Sequence, residues 1–145
     1  MTDVIADIQQ KIGLMLNSEP MLRTIATSMV PVMRARVHVD GLDANGRPIG
    51  TYSKEYLKQR QKAPLNRTGD PKIILSATRQ MEQDLKAIPT NEGWGIGYSN
   101  PENYAKAMAN EKRENVKILS ALTESEENLV LEIANDYIDN IVKQI

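Results

Sequence analysis

Apolar side chains recur at helical spacing in four stretches of the chain and alternate with other residues in two more. Near the start, Val4 or Ile5, Ile8, Ile12 and Met15 share one face, while Asp7, Gln9, Gln10 and Lys11 fall elsewhere. Gly13 weakens this first helix by about 1 kcal/mol relative to Ala. Ser18-Glu19-Pro20 marks a fresh helix start, and Leu22, Ile25, Ala26, Met29 and Met33 continue a stripe. Pro31 should kink or stop that helix, because it removes a donor and clashes with the preceding turn. From Arg34 to Val39, Arg34, Arg36 and His38 alternate with Ala35, Val37 and Val39, which favours a strand with one polar face over a fraying helix end.

Asp70-Pro71 reads as another helix start, with Ile74, Ala77, Met81 and Leu85 forming its apolar stripe. Trp94-Gly95-Ile96-Gly97-Tyr98 alternates large and tiny residues, as in a strand whose glycine face lies against another backbone. Ser99-Asn100-Pro101 then turns the chain into a short helix carrying Tyr104, Ala105 and Met108. The last helix is announced by a capping box, Thr123-x-x-Glu126, with Glu124, Glu126 and Glu127 in its first turn and Lys143 in its last. Val130, Ile133, Ala134, Tyr137, Ile138, Ile141, Val142 and Ile145 give it a broad apolar face, expected to be core within the subunit. Between these elements, Gly41–Gly69 is poor in Ile, Leu and Val. Asp43-Ala44-Asn45-Gly46 and Arg47-Pro48 read as turns, Tyr52–Gln61 as a partly helical or extended arm, and 62–68 as a loop. The expectation is a single α+β domain over 1–145. It has an N-terminal helix, a small mixed or antiparallel sheet, a central helix and a long C-terminal helix packed on the sheet, with 41–69 a mobile connecting arm.

Composition narrows the chemistry. A 145-residue chain buries roughly 68% of its unfolded surface, but with no Phe and only 4% aromatics the core must be aliphatic. The absence of Cys excludes disulfides, thiolate catalysis and Cys-ligated metals. No apolar run is long enough to span a bilayer, and the first residues lack a signal-peptide pattern, so a protein made and assembled in a cytoplasm, away from membranes, is expected. His38 is the sole histidine, and flanking arginines disfavour its charged form, which makes it a poor general base. Asp43-x-Asn45-Gly46 fails as a calcium loop, since Gly41 stands where the first acidic ligand belongs and no Glu closes it. Gly93-x-Gly95-x-Gly97 lacks the Lys and Ser/Thr of a phosphate loop. No catalytic, cofactor or metal site assembles from these residues, and no enzyme activity is expected.

The net charge of −1 conceals a polarity along the chain. Residues 20–81 hold eleven Lys and Arg against four acids, and residues 82–145 hold six against twelve. Such a chain can neutralise itself internally or stack head-to-tail, basic face on acidic face. Arg34, Arg36, Lys54, Lys58 and Arg60 on the basic side, with Glu111 and Glu114 on the acidic side, are the candidate inter-subunit or channel-facing residues. The basic residues could also touch phosphates, although no nucleic-acid-binding signature accompanies them.

The order of motifs adds a further indication. Ile74-Leu75-x-x-Thr78-Arg79-x-Met81, the Ile96-Gly97 strand and the Tyr104-Ala105 helix resemble segments of the tail-completion and virion-morphogenesis proteins of tailed bacteriophages. Gly46-Arg47-Pro48, Tyr52-Ser53-x-x-Tyr56 and Ile118-Leu119-x-x-Leu122-Thr123 are similar to flanking segments of that family, so the likeness runs from about Met33 to the C-terminus. Two departures stand out: Arg79 occupies a position usually held by Gly, and Asn110-Glu111-Lys112 replaces a Gln-x-Gly. The resemblance implies a structural virion protein of the neck. Its subunit would form a ring, expected to be a hexamer, that joins the head connector to the tail tube near packaged DNA. The alternatives are a stopper or adaptor of the same connector, or a small non-enzymatic DNA-binding regulator.

Overall fold

Helix α1 (Glu19–His38) begins where Ser18-Glu19-Pro20 predicts, and Asn17 Oδ1 accepts the Glu19 N–H at 3.2 Å. The computed structural model describes residues 5–6, 8–10, 13, 17–62, 70–75 and 79–144. Of the first apolar stripe, Val4, Ile12 and Met15 lie outside these residues, and Ile5 is exposed. After α1 come α2 (Lys54–Lys62), α3 (Gln80–Asp84), β1 (Leu85–Thr90), β2 (Gly93–Tyr98), α4 (Pro101–Glu114) and α5 (Glu124–Lys143). The fold is α+β, as expected. Among the described residues its sheet is an antiparallel hairpin, with Leu85 opposite Tyr98 and Pro89 opposite Trp94 around the turn Asn91-Glu92.

Three local expectations are corrected. α1 continues through Pro31. Pro31 and Thr27, whose carbonyl loses its partner, both lie on the exposed side, where water can take the bond. The stretch 34–39 is the end of this helix rather than a strand. Its alternation misled because Arg36 and His38 are buried and hydrogen-bonded, so the polar positions do not mark a solvent face. The third correction concerns the central helix. Asp70–Ile74 is extended: Tyr52 N–H donates to the Pro71 carbonyl at 2.7 Å, and Ile73 N–H donates to Gly50 at 3.0 Å, before Leu75 turns the chain with φ +51°. That pairing buries Ile73 and Leu75; of the expected helix, the described residues are helical only over α3, Leu85 opens β1, and Ala77 lies outside the described residues.

The connection expected to be a mobile arm is pinned over its first half. Asp43 Oδ1 accepts the N–H groups of Asn45 and Arg47, and Ala44 N–H donates to Lys117 at 2.8 Å. Gly41 has φ +66°, and a Cβ there would lie 2.4 Å from the Ile73 carbonyl oxygen, so only glycine fits this approach. Ile49 is buried, and Tyr52–Gln61 is mostly the helix α2. Residues 63–69 lie outside the described residues.

The core is aliphatic, as the composition demanded. Val37, Ile49, Ile73, Leu75 and Ile118 form one cluster; Met33, Leu85, Tyr98 and Ala107 form another, and Met81 and Leu119 touch both. The glycine face of β2 meets side chains rather than a backbone: a Cβ on Gly97 would lie 3.3 Å from Ile88, and one on Gly95 would lie 3.4 Å from Thr90. α1 packs on both strands and on α5. The long C-terminal helix therefore joins the sheet by way of α1. Glu126 meets Arg36, and one turn on Val130 borders the same groove as Ala26, Met29 and Met33, so α5 runs back along α1.

Ile118→Ala, at a side chain 1% exposed, is expected to cost about 2–5 kcal/mol in urea unfolding. Ile138→Ala, at a position 38% exposed, should cost less than about 1 kcal/mol in the isolated subunit. Equal losses would mean that the outer side of α5 is core after all.

Candidate assembly interface

The seven residues singled out for an inter-subunit face separate into two groups. Arg36 is buried and directed inward: its Nε donates to Glu126 Oε2 at 2.8 Å, Nη1 to the Leu42 carbonyl at 3.0 Å, and Nη2 to Ile118 at 2.8 Å and Ala121 at 3.5 Å. Arg34 donates to the carbonyls of Glu82 (2.8 Å) and Leu85 (2.9 Å), fastening α1 to the α3–β1 junction. Arg60 is buried with its guanidinium 4.4 Å from the Tyr52 ring centre. Glu111 Oε1 accepts the N–H groups of Ile118, Leu119 and Ser120 at 2.7–3.0 Å, closing the turn between α4 and α5. Glu114 is half-buried, pairs with Arg113 at 3.2 Å and packs against Gly50. Arg36 and Glu111 therefore act within the subunit, and part of the charge polarity is cancelled internally. Lys54 and Lys58 alone of the seven are exposed.

Two buried polar groups brace the same frame. The carbonyl of Ile74 can only accept, so His38 Nδ1 carries the proton at 3.3 Å, and bare Nε2 accepts the Tyr98 hydroxyl at 2.9 Å. Burial lowers the His38 pKa below 6.5, outweighing the Ile74 carbonyl and Glu82, and burial likewise raises that of Tyr98. A neutral imidazole 1% exposed reaches no solute and serves to join α1 to β2. Asp84 accepts from Ser99 Oγ, from Asn100 N–H at 2.9 Å and from Asn103 Nδ2 at 3.0 Å. Burial pushes its carboxyl up, but these three donors prevail and hold it at about 2.

Open surface lies elsewhere. A cleft of about 650 Å³ between α2 and α4 is lined by Tyr52, Tyr56, Arg60, Lys106, Arg113 and Glu114. A smaller groove of about 280 Å³ runs between α1, β2 and α5, floored by Met29, Met33, Trp94 and Ile96. On α5 the apolar arc is wider than α1 can cover. Ile133, Tyr137 and Ile141 turn inward, whereas Leu131, Ile138 and Val142 form an outer stripe exposed by 62%, 38% and 50%. The sequence placed Ile138 and Val142 in the core; the breadth of the arc, more than one neighbour needs, was the signal for an outer face. Among the described residues no acidic or histidine cluster could hold a metal, and no helix is long and apolar enough to cross a membrane.

No protein-family model, curated protein or solved structure matches this chain significantly.

Arg36→Met is expected to cost about 3–5 kcal/mol in chemical denaturation, because the Glu126 carboxylate is left buried without its cation. A loss below about 1 kcal/mol would show that water replaces the guanidinium. Stability should also fall as the solution is acidified, in steps of one sign. Below pH 6.5 the unfolded His38 takes a proton that the folded one resists. Glu111 is likewise held below its ordinary 4.5 by the three N–H groups, which outweigh its burial. The Asp84 contribution, complete above pH 3.8, disappears as pH falls through about 2. Urea midpoints measured against pH for the native chain and His38→Asn should differ in slope just below 6.5 and agree in slope further down.

Proposed function

We propose that this chain is a structural virion protein of a tailed bacteriophage, a tail-completion or neck subunit that forms a ring between the head connector and the tail. The observation that carries the reading is the backbone at Arg79. It has φ +67°, the left-handed region that glycine favours, at the position where the resembled proteins usually have Gly. The departure in sequence is thus a substitution into a glycine-type turn, and α3 follows it directly. Asn110-Glu111-Lys112, the other departure, continues α4 to Glu114, and Glu111 then organises the 118–120 turn. The uncovered outer stripe of α5 adds a surface suited to a neighbouring subunit.

The DNA-binding alternative loses part of its support, since Arg34, Arg36 and Arg60 of the basic segment are engaged within the fold. Sedimentation velocity and negative-stain imaging of the purified chain test the proposal. A closed ring of one defined mass is expected, with no affinity for duplex DNA at low salt. A monomer at every attainable concentration that binds duplex DNA in a salt-dependent way would overturn it and favour a regulator.

A further inference from the structure

Two charged rows remain exposed, and they match. On α2, Lys54, Lys58 and Lys62 stand four residues apart and so share one face, a like-charge row that repels itself along the helix. On α5, Glu132, Asp136 and Asp139 are spaced by four and three residues and flank the outer stripe of Leu131, Ile138 and Val142. All six charged residues are exposed, and among the described residues none takes part in an ion pair. At 1.5 Å per residue the lysine row is about 12 Å long and the acidic row about 10 Å.

Within one copy α5 packs on α1. We infer that the outer face of α5 receives α2 of a second copy of this chain, the lysine row lying against the acidic row. Lysine stems then cover the apolar stripe while their ammonium groups reach the carboxylates, so one contact satisfies both features. The contact joins two different surfaces, so it is heterologous and propagates from copy to copy until it closes. An antiparallel pairing of α5 with α5 would instead bring two acidic rows together, which disfavours it at neutral pH. This deepens the proposed ring by naming its joint, and it rests on that reading of self-assembly. It also moves the joint away from Arg34, Arg36 and Glu111, which the fold itself uses.

The test uses two charge-reversed chains, Lys54→Glu with Lys58→Glu, and Glu132→Lys with Asp136→Lys. Each alone should need roughly tenfold or more higher concentration to assemble, because like charges then face each other. An equimolar mixture of the two should recover native assembly as an alternating ring, in which reversed α2 meets reversed α5. A folding defect in either chain would leave the mixture unassembled; circular dichroism and urea midpoints matching the native chain exclude that cause. If the native chain forms rings and both variants assemble as it does, the joint lies elsewhere and this inference fails while the ring reading stands. The inference fails in the same way if folded variants stay apart when mixed, or if only Ile138→Asp disrupts assembly, which would mean an α5–α5 contact. A native chain that stays monomeric overturns both.

Discussion

The buried guanidinium of Arg36 is the constraint on which the rest of the subunit depends. It lies on the inner side of α1 and holds together segments far apart in sequence: the Leu42 carbonyl after the helix, Ile118 and Ala121 before α5, and the Glu126 carboxylate in the first turn of α5. Glu126 also completes the capping box with Thr123, so the residue that starts the last helix also sets its position against the first. A charge pair at this depth gives little net stabilisation, yet losing one partner is costly. Its value here is in specifying a single arrangement, because few other placements of α5 would satisfy so many donors and acceptors.

Around that point, polar groups do the orienting and aliphatic groups supply the burial. His38 and Tyr98 link α1 to β2, Asp84 organises the start of α4 through Ser99, Asn100 and Asn103, and Glu111 gathers three backbone donors before α5. Most of these are hydrogen bonds to backbone groups or neutral side chains, so they leave few charges at the surface in those places. Among the exposed charges, the lysines of α2 and the acids of α5 gather into two rows of opposite sign. That arrangement, beside an apolar stripe broader than one neighbour can cover, makes an assembling subunit a coherent reading.

How much was legible in the sequence differs by element. The start of α1, the strand Gly93–Tyr98, the Asn100-Pro101 start of α4 and the capped start of α5 could all be read, since each rests on a cap, a proline or an alternation within a few residues. The candidate site was legible only in part. Lys54 and Lys58 are on the surface as expected, but Arg36, Arg60 and Glu111 are not free, because an arginine or glutamate that finds several partners can be buried while its sequence neighbourhood still looks polar.

Local chemistry by itself therefore determined an α+β chain with an aliphatic core, the starts of α1, α4 and α5, its glycine-rich strand and its charge polarity. The tertiary structure alone decided that α1 continues through Pro31, that residues 70–74 are extended beside Gly50 and Tyr52, and that α5 reaches the sheet by way of α1. It also decided which charges face outward. The helix continues through Pro31 because the carbonyl it frees faces water, and the other three share a physical reason. Each of the three depends on partners distant in sequence, and a hydrogen bond or contact made across dozens of residues leaves no periodic trace in the segment that makes it.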